Sequence, residues 1–384
     1  MPPLSDTPPI GWYVHLPFCT TKCGYCDFYS LPTLPGLVGD LAAALEAEAA
    51  ARDPKRSVET VYVGGGTPTV LPAEALAAVL RTVTSRTGPV AEFTVEANPS
   101  SADELKLDLL RRSGVDRVSF GAQSFDAREL AVLQRIHDPR HIVESVRAAR
   151  TAGFDNVNLD LIYAIPGQTV ADWRRTLRRA IDLGTEHLSC YALTYESGTQ
   201  LTRLRHEGRI VPLVDDLEAD LFELTIEELT TAGFEHYEIS NFARPGRRCR
   251  ANLIYWENRE YLGLGPSAVS YLDGVRQKNV PDVRRYVEGI RSDPSSIVVE
   301  RERLSPEARA CETAVQMLRL TEGIDAERFR LATGRDARRM FASQIRRFEA
   351  LELLAADAPT IRLTPRGRLV ANRVMMEFLA CDAD

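Results

Sequence analysis

Three cysteines stand within eight residues in Cys19-Thr-Thr-Lys-Cys23-Gly-Tyr-Cys26. Thiolates at this spacing bind soft metals, and the number of ligands says which kind. A structural zinc site takes four ligands, usually from two paired sets. No second pair exists here; Cys190 and Cys249 are isolated in sequence, and only folding could bring one near. A cubane iron–sulfur cluster normally takes four thiolates. Three on one loop would hold three irons and leave the fourth open to a non-protein ligand. The remaining cysteines, Cys190, Cys249, Cys311 and Cys381, read as small buried apolar residues. An odd total of seven argues against a disulfide framework.

A second set of polar residues recurs at comparable intervals. Gly64-Gly65-Gly66-Thr67-Pro68 is a turn sequence whose bare backbone lets a ligand approach. Glu96 lies in Thr-Val-Glu-Ala-Asn-Pro, Gln123 in Gly-Ala-Gln-Ser-Phe, Arg135 in Gln-Arg-Ile-His, and Asp160 in Asn-Leu-Asp-Leu-Ile-Tyr. Singly, each reads as a salt bridge, a cap or a polar residue of a sheet.

The elements that would carry them alternate. Short β-branched runs at 13–16, 60–63, 92–96, 117–120, 156–162 and 187–193 predict strands. Amphipathic stretches at 38–52, 72–86, 101–113, 127–134 with 140–152, 169–183 and 215–232 predict helices. Six strand–helix units in sequence imply a parallel sheet, and the polar groups fall at strand C-termini, where α/β sheets and barrels place their sites. Six units are too few for a closed eight-unit barrel, so residues 1–235 are expected to form an α/β fold, a partial (βα)6 TIM-type barrel. Residues 236–303 carry glycine, arginine and aromatics without clear periodicity and are expected to be an irregular functional segment. Residues 304–384 read as helices, a hairpin near 353–363 and a helix from Pro365, a small, mostly helical, winged-helix-like domain suited to packing or partner contact.

Composition narrows the class of protein. The chain has 384 residues with 26% charged and 44% hydrophobic side chains, which excludes disordered and fibrous classes. The net charge of −7 gives no reason to expect a nucleic-acid partner. No apolar run approaches the roughly 18 residues that span a bilayer. Met1 to Gly11 has four prolines and no apolar stretch of a secretory signal, so a cytoplasmic location is expected.

The C-x3-C-x2-C triplet preceded by Tyr13-Val-His-Leu-Pro-Phe resembles the radical S-adenosylmethionine (SAM) enzymes. The resemblance implies that Cys19, Cys23 and Cys26 ligate a [4Fe–4S] cluster whose open iron chelates the amino and carboxylate groups of SAM. An electron from the cluster then cleaves the sulfonium bond. Within the coproporphyrinogen-oxidase-like branch, Tyr13, Tyr25, Gly65, Gly66, Thr67, Glu96, Gln123, Arg135 and Asp160 match SAM-contacting positions. The likeness extends over nearly the whole chain, including Gly233-Phe-Glu-His-Tyr-Glu-Ile-Ser-Asn-Phe-Ala243 and the C-terminal region.

Two departures select a branch. The oxygen-independent oxidases carry another cysteine two residues beyond the third ligand, where this chain has Phe28, and only 18 residues precede the triplet. Both features resemble the HemW-type heme chaperones, which bind heme and pass it to acceptor proteins, membrane-associated respiratory components among them. Coproporphyrinogen oxidase activity is not expected. That family's His-Asn-x-x-Tyr-Trp segment appears here as Ala251-Asn252-Leu-Ile-Tyr255-Trp256. Imidazole is a common heme ligand and alanine has no donor atom. Asn252, Tyr255 and Trp256 remain as a heme region, with Cys249, His236 and Tyr237 as other candidate donors. The alternative is an active radical SAM enzyme of the same branch, oxidase-like or a methyltransferase or cyclopropane-forming relative. Either reading requires an electron donor for the cluster.

Overall fold

The computed structural model describes residues 8–379. Cys381, the first residues of the proline-rich start and the last residues of the expected C-terminal domain lie outside them.

The chain opens with β1 (Ile10–Leu16), the short β2 (Phe18–Cys19) and β3 (Leu31–Pro32), and α1 (Pro35–Arg52). Then β4 (Val58–Gly65), α2 (Ala73–Thr87), β5 (Glu92–Ala97), α3 (Glu104–Arg112) and β6 (Arg117–Gln123) alternate. They are followed by α4 (Ala127–Val132), α5 (Pro139–Thr151), β7 (Val157–Tyr163), α6 (Val170–Asp182), β8 (His187–Ala192), α7 (Gln200–His206) and α8 (Asp215–Thr231). Strands β1, β4, β5, β6, β7 and β8 pair in that order, all parallel. The six expected units are present, as a partial barrel.

The strands alternate strictly, and the register explains why. Outward positions such as Trp12, Val14, Val61, Val63, Phe93, Val95, Val118, Phe120, Leu159 and Leu161 are buried under the helices. Inward positions pair as Tyr13 with Tyr62, Tyr62 with Thr94, Glu96 with Ser119, Gly121 with Asp160, and Asp160 with Ser189. Parallel strands buried on both faces usually read as continuous apolar runs. Here the inner face is mostly polar, with Ile162 an apolar exception at the cavity, so the barrel interior is a site rather than a core.

The segment expected to be irregular is ordered. It contains β9 (Glu235–Glu238), β10 (Asn241–Ala243), α9 (Arg250–Trp256), β11 (Tyr261–Leu264), β12 (Val269–Leu272), β13 (Val275–Asn279), α10 (Val283–Ser292) and β14 (Val298–Arg303). Strands β10 and β9 extend the sheet antiparallel beyond β8. Strand β11 adds parallel to β1 on the other edge, and β12, β13 and β14 continue it, giving a 12-stranded sheet. These strands are too short, and too rich in glycine and arginine, to show a period.

A buried carboxylate pins this extension. Glu48 on α1 is fully buried and accepts from Tyr286 Oη at 2.6 Å, Gly265 N at 2.7 Å, Asn279 Nδ2 at 2.8 Å and Arg52 Nη1 at 2.5 Å. A buried charge this fully bonded is tolerated, and removing a partner would be strongly destabilising.

The C-terminal part has its own core, centred on Phe329, Phe341 and Phe378. Helices α11 (Pro306–Met317), α12 (Ala326–Thr333), α13 (Ala337–Met340) and α14 (Ala342–Ala350) precede the hairpin β16 (Leu354–Ala355) and β17 (Thr360–Leu363). Strand β15 (Ile324–Asp325) completes the three-stranded sheet, and α15 (Pro365–Leu369) and α16 (Ala371–Glu377) follow. Helix order, hairpin and final helix agree with the sequence. This part docks on α9, β9 and β13: Arg319 stacks over Trp256 at 4.4 Å, Arg276 is bidentate to Glu312 at 2.7 and 2.9 Å, and Thr321 N bonds Tyr237 O at 3.1 Å.

Candidate functional site

The C-terminal ends of the parallel strands open into a cavity of about 410 Å³. Cys19, Cys23 and Cys26 line one side and are half-buried free thiols. Their loop is fixed at both ends. Phe18 is fully buried, Leu31 N bonds Pro17 O at 2.9 Å and Thr33 N bonds Cys19 O at 3.0 Å. Gly66 N and Thr67 N bond Leu16 O and Phe18 O, each at 2.7 Å, so the glycine turn and the cysteine loop brace one another. Burial pushes the Cys19 and Cys26 thiols up from their ordinary value.

Tyr25, Gly65, Gly66, Thr67, Glu96, Gln123, Arg135 and Asp160 all line the same cavity. Tyr13 does not belong to the lining. Its hydroxyl bonds His15 Nδ1 at 2.9 Å behind Tyr62. The glycines are required by protein packing as much as by a ligand. A Cβ at Gly66 would stand 2.5 Å from Phe18 O, and one at Gly64 2.6 Å from the Glu96 carboxylate. Gly65 takes φ +103°, which favours glycine, and spends its N–H on Glu96 Oε2 at 3.1 Å. Gln123 ends β6 at φ +65°, an uncommon conformation that turns the chain into the cavity.

The carboxylates differ in environment. Glu96 accepts from Tyr62 Oη at 2.8 Å and Gly65 N. Burial, followed by the nearby Asp160, raises its pKa to about 7. Asp160 accepts from Ser119 Oγ at 3.1 Å and Asn158 Nδ2 at 2.9 Å, and burial raises it too. Tyr62 and Ser119 also line the cavity and were missed in the sequence; both could be found from the period of two that puts them on the inner face with Glu96. Gln134, Asn98, Tyr191 and Glu196 complete the rim without a sequence signal.

These residues fit a cluster with a bound cationic amino acid derivative. Among the described residues, no three His, Cys, Asp or Glu side chains are grouped to hold a single metal ion. The three thiols instead face a shared space, as one thiolate per iron requires. The same cavity is lined by two buried carboxylates, Glu96 and Asp160, and by the guanidinium of Arg135, which donates to Cys23 Sγ.

The proposed heme residues lie elsewhere. Helix α9 sits at the opposite end of the barrel, in the seam with the C-terminal part. Asn252 lies beside the Tyr237 hydroxyl, Tyr255 packs edge-on to Tyr261 at 4.7 Å, and Trp256 lies under Arg319. Ala251 is buried, and its N–H donates to Glu92 Oε1 at 3.1 Å. Beside it is a void of about 10 Å³, room for a water and not for an imidazole. The alternative donors are all engaged. Cys249 is fully buried at 3.4 Å from Glu92 Oε1, with its thiol pushed up to about 12 by burial. Tyr237 bonds His187 Nε2 at 2.8 Å, and His236 stacks on Phe242 at 4.4 Å and bonds Ile239 O at 3.2 Å. Cys249 therefore does not present a thiolate.

A partial barrel with a three-cysteine loop after its first strand, and a polar cavity at its strand ends, defines a radical SAM protein. Residues 13–180 match the family described as the Radical SAM superfamily, and residues 304–370 the HemN C-terminal domain. The chain belongs to the HemW heme-chaperone family within it. It is 38% identical to the heme chaperone HemW of Mycobacterium tuberculosis, over 99% of this chain and 97% of that protein. It is 33% identical to that of Bacillus subtilis strain 168, over 96% and 98%, and 32% identical to that of Escherichia coli K12, over 97% and 99%. The fold is shared with the E. coli coproporphyrinogen III oxidase HemN, a radical SAM enzyme, at TM-score 0.82 and 23% identity, covering 96% of this chain and 90% of that one. The family implies a [4Fe–4S] cluster and SAM as cofactors. Among the described residues no helix is long and apolar enough to cross a membrane.

Proposed function

We propose that this chain is a heme chaperone that binds heme, a [4Fe–4S] cluster and SAM, and hands heme to acceptor proteins. The observation that carries it is the match to the HemW family, which spans barrel, α9 segment and C-terminal part together. Phe28, 64% exposed at the cavity rim, stands where the oxidases have a cysteine, which supports a chaperone over an oxidase.

In this reading Cys19, Cys23 and Cys26 hold three irons. Glu96 and Asp160 accept from the SAM amino group, Gln123 and Arg135 hold its carboxylate, and Tyr25 closes the cavity over it. The bound pair would supply one-electron reduction of a sulfonium. The chain's own part is to orient SAM and exclude water around it. Asn252, Tyr255 and Trp256, packed in the seam with the C-terminal part, are proposed as the heme region, and the C-terminal part as the docking face for acceptors. Membrane-associated respiratory components are proposed among those acceptors, and a separate donor supplies the cluster's electron.

The test is an anaerobic hemin titration of the reconstituted protein, followed by Soret absorbance and gel filtration, with Ala251→His alongside. One heme bound per chain by the unaltered protein is expected. No binding by either form would refute the chaperone reading. The open cavity favours a second reading, live radical SAM chemistry, and methionine formed in proportion to a modified substrate would establish it.

A further inference from the structure

Arg135 makes an unusual pair of contacts. Its Nη1 donates to Cys23 Sγ at 3.2 Å and its Nη2 to Gly121 O at 2.7 Å. Its Nε is buried without a partner, and among the described residues no carboxylate forms an ion pair with it. The residue is held in place from both sides. Gln134 takes φ +57°, which turns the chain at the end of α4, and Arg135 N bonds Leu130 O at 2.9 Å. Beyond it, the buried His137 bonds Ala122 O through Nε2 at 3.0 Å. A half-buried guanidinium without a carboxylate is costly unless negative charge reaches it. Cys23, to which it donates, is one of the residues that would hold the thiolate-ligated cluster, and that cluster would supply the charge.

We propose that Arg135 is a positioning residue for the cluster's charge, donating to the Cys23 sulfur and thereby raising the cluster's reduction potential. This rests on the cluster reading above and goes beyond a contact to SAM. Each electron added to a thiolate-bound cluster adds negative charge. A fixed cation and an N–H donor at a ligand sulfur stabilise the reduced state more than the oxidised one. Removing them favours the oxidised state and moves the midpoint to more negative values.

The experiment reconstitutes the full chain anaerobically as the parent, Arg135→Gln and Arg135→Lys, and titrates each by spectroelectrochemistry without SAM. Expected are full iron and sulfide in all three, a midpoint shifted negative in Arg135→Gln, and a smaller shift in Arg135→Lys, which keeps charge and loses the fork. An Arg135→Gln midpoint equal to the parent's, with SAM affinity alone weakened, would overturn the proposal and leave Arg135 a SAM ligand. Failure of both variants to hold a cluster would overturn it in favour of a purely architectural role. A parent that takes up no cluster would instead sink the cluster reading itself.

Discussion

The two ends of the barrel use the same residue types to opposite effect. At the strand C-termini, Glu96, Asp160, Gln123 and Arg135 surround open space, and their charges are only partly answered by protein. At the other end, Glu92 accepts from Cys249, Arg250 N and Ala251 N, beside the fully buried Arg117. Between them runs a closed chain: Asp160 to Asn158, Asn158 Oδ1 to His187 Nδ1 at 2.6 Å, and His187 Nε2 to the Tyr237 hydroxyl. Polar groups are abundant at both ends, so polarity alone does not mark the site. What marks it is that its polar groups face an open cavity, since the other end also keeps buried atoms without a partner, Arg117 Nε and Trp256 Nε1 among them.

The sharpest break of this contrast is at the cysteines. Alanine at any one of Cys19, Cys23 or Cys26 should abolish cluster assembly while leaving the fold intact, since each thiol is half-buried and their links to other segments are single contacts, Arg135 to Cys23 Sγ at 3.2 Å and Thr67 to Cys19 Sγ at 3.9 Å. Iron and sulfide content after anaerobic reconstitution, beside circular dichroism, measures both. Alanine at Cys249 should do the reverse, keeping the cluster and lowering stability. A cluster that survives in all three cysteine variants would remove the basis for the site.

Next in size is Glu92→Gln. The substitution keeps shape and removes the charge that balances Arg117 inside the closed end. Breaking such a buried arrangement should cost about 3 kcal/mol. A denaturant titration should show the loss, and the cluster potential should not move. A stability equal to the parent's would mean that Arg117 finds its compensation elsewhere, and that the closed end is not held by charge.

The barrel was largely legible in the sequence. All six strands and their helices follow from alternation and amphipathic period, because long parallel units carry strong local patterns. The cysteine loop was legible from spacing alone. Tyr62 was legible in principle, since the period of two places it opposite Tyr13. Two things were not. The strands between Glu235 and Arg303 are short, and edge or antiparallel, so their order comes from pairing partners far away in sequence. The bond from Glu92 to α9 joins residues 157 to 159 positions apart, and no local pattern announces it. Cys249 follows its reading as a small buried residue, and the candidate donor role falls away. Its burial is set by Glu92 and Arg117, which the local sequence around it does not contain.

The smallest expected effect separates the ends by pH. Glu96 has its folded pKa at about 7, above its usual 4.5, because of burial and then Asp160. The fold thus favours the protonated acid. That contribution to stability is complete below the unfolded value and is lost as pH rises through about 7. Binding an amino group that donates to Glu96 reverses the preference, because the ionised carboxylate is the acceptor. SAM affinity of the reconstituted protein should therefore rise up to tenfold per unit between about pH 5.5 and 7 and then level off. Glu96→Gln should bind more weakly and flatten that slope. At the closed end the sign is opposite. Burial, and then Arg117, lowers the His187 pKa, so stability is complete above its unfolded value near 6.5 and falls on acidification as the unfolded chain takes up the proton. Thermal melts of the parent, Glu96→Gln and His187→Asn across this range would resolve the two slopes. If Glu96→Gln keeps the parent's pH dependence of SAM affinity, the amino group is received at Asp160, and the binding chemistry of the open end rests on that one carboxylate.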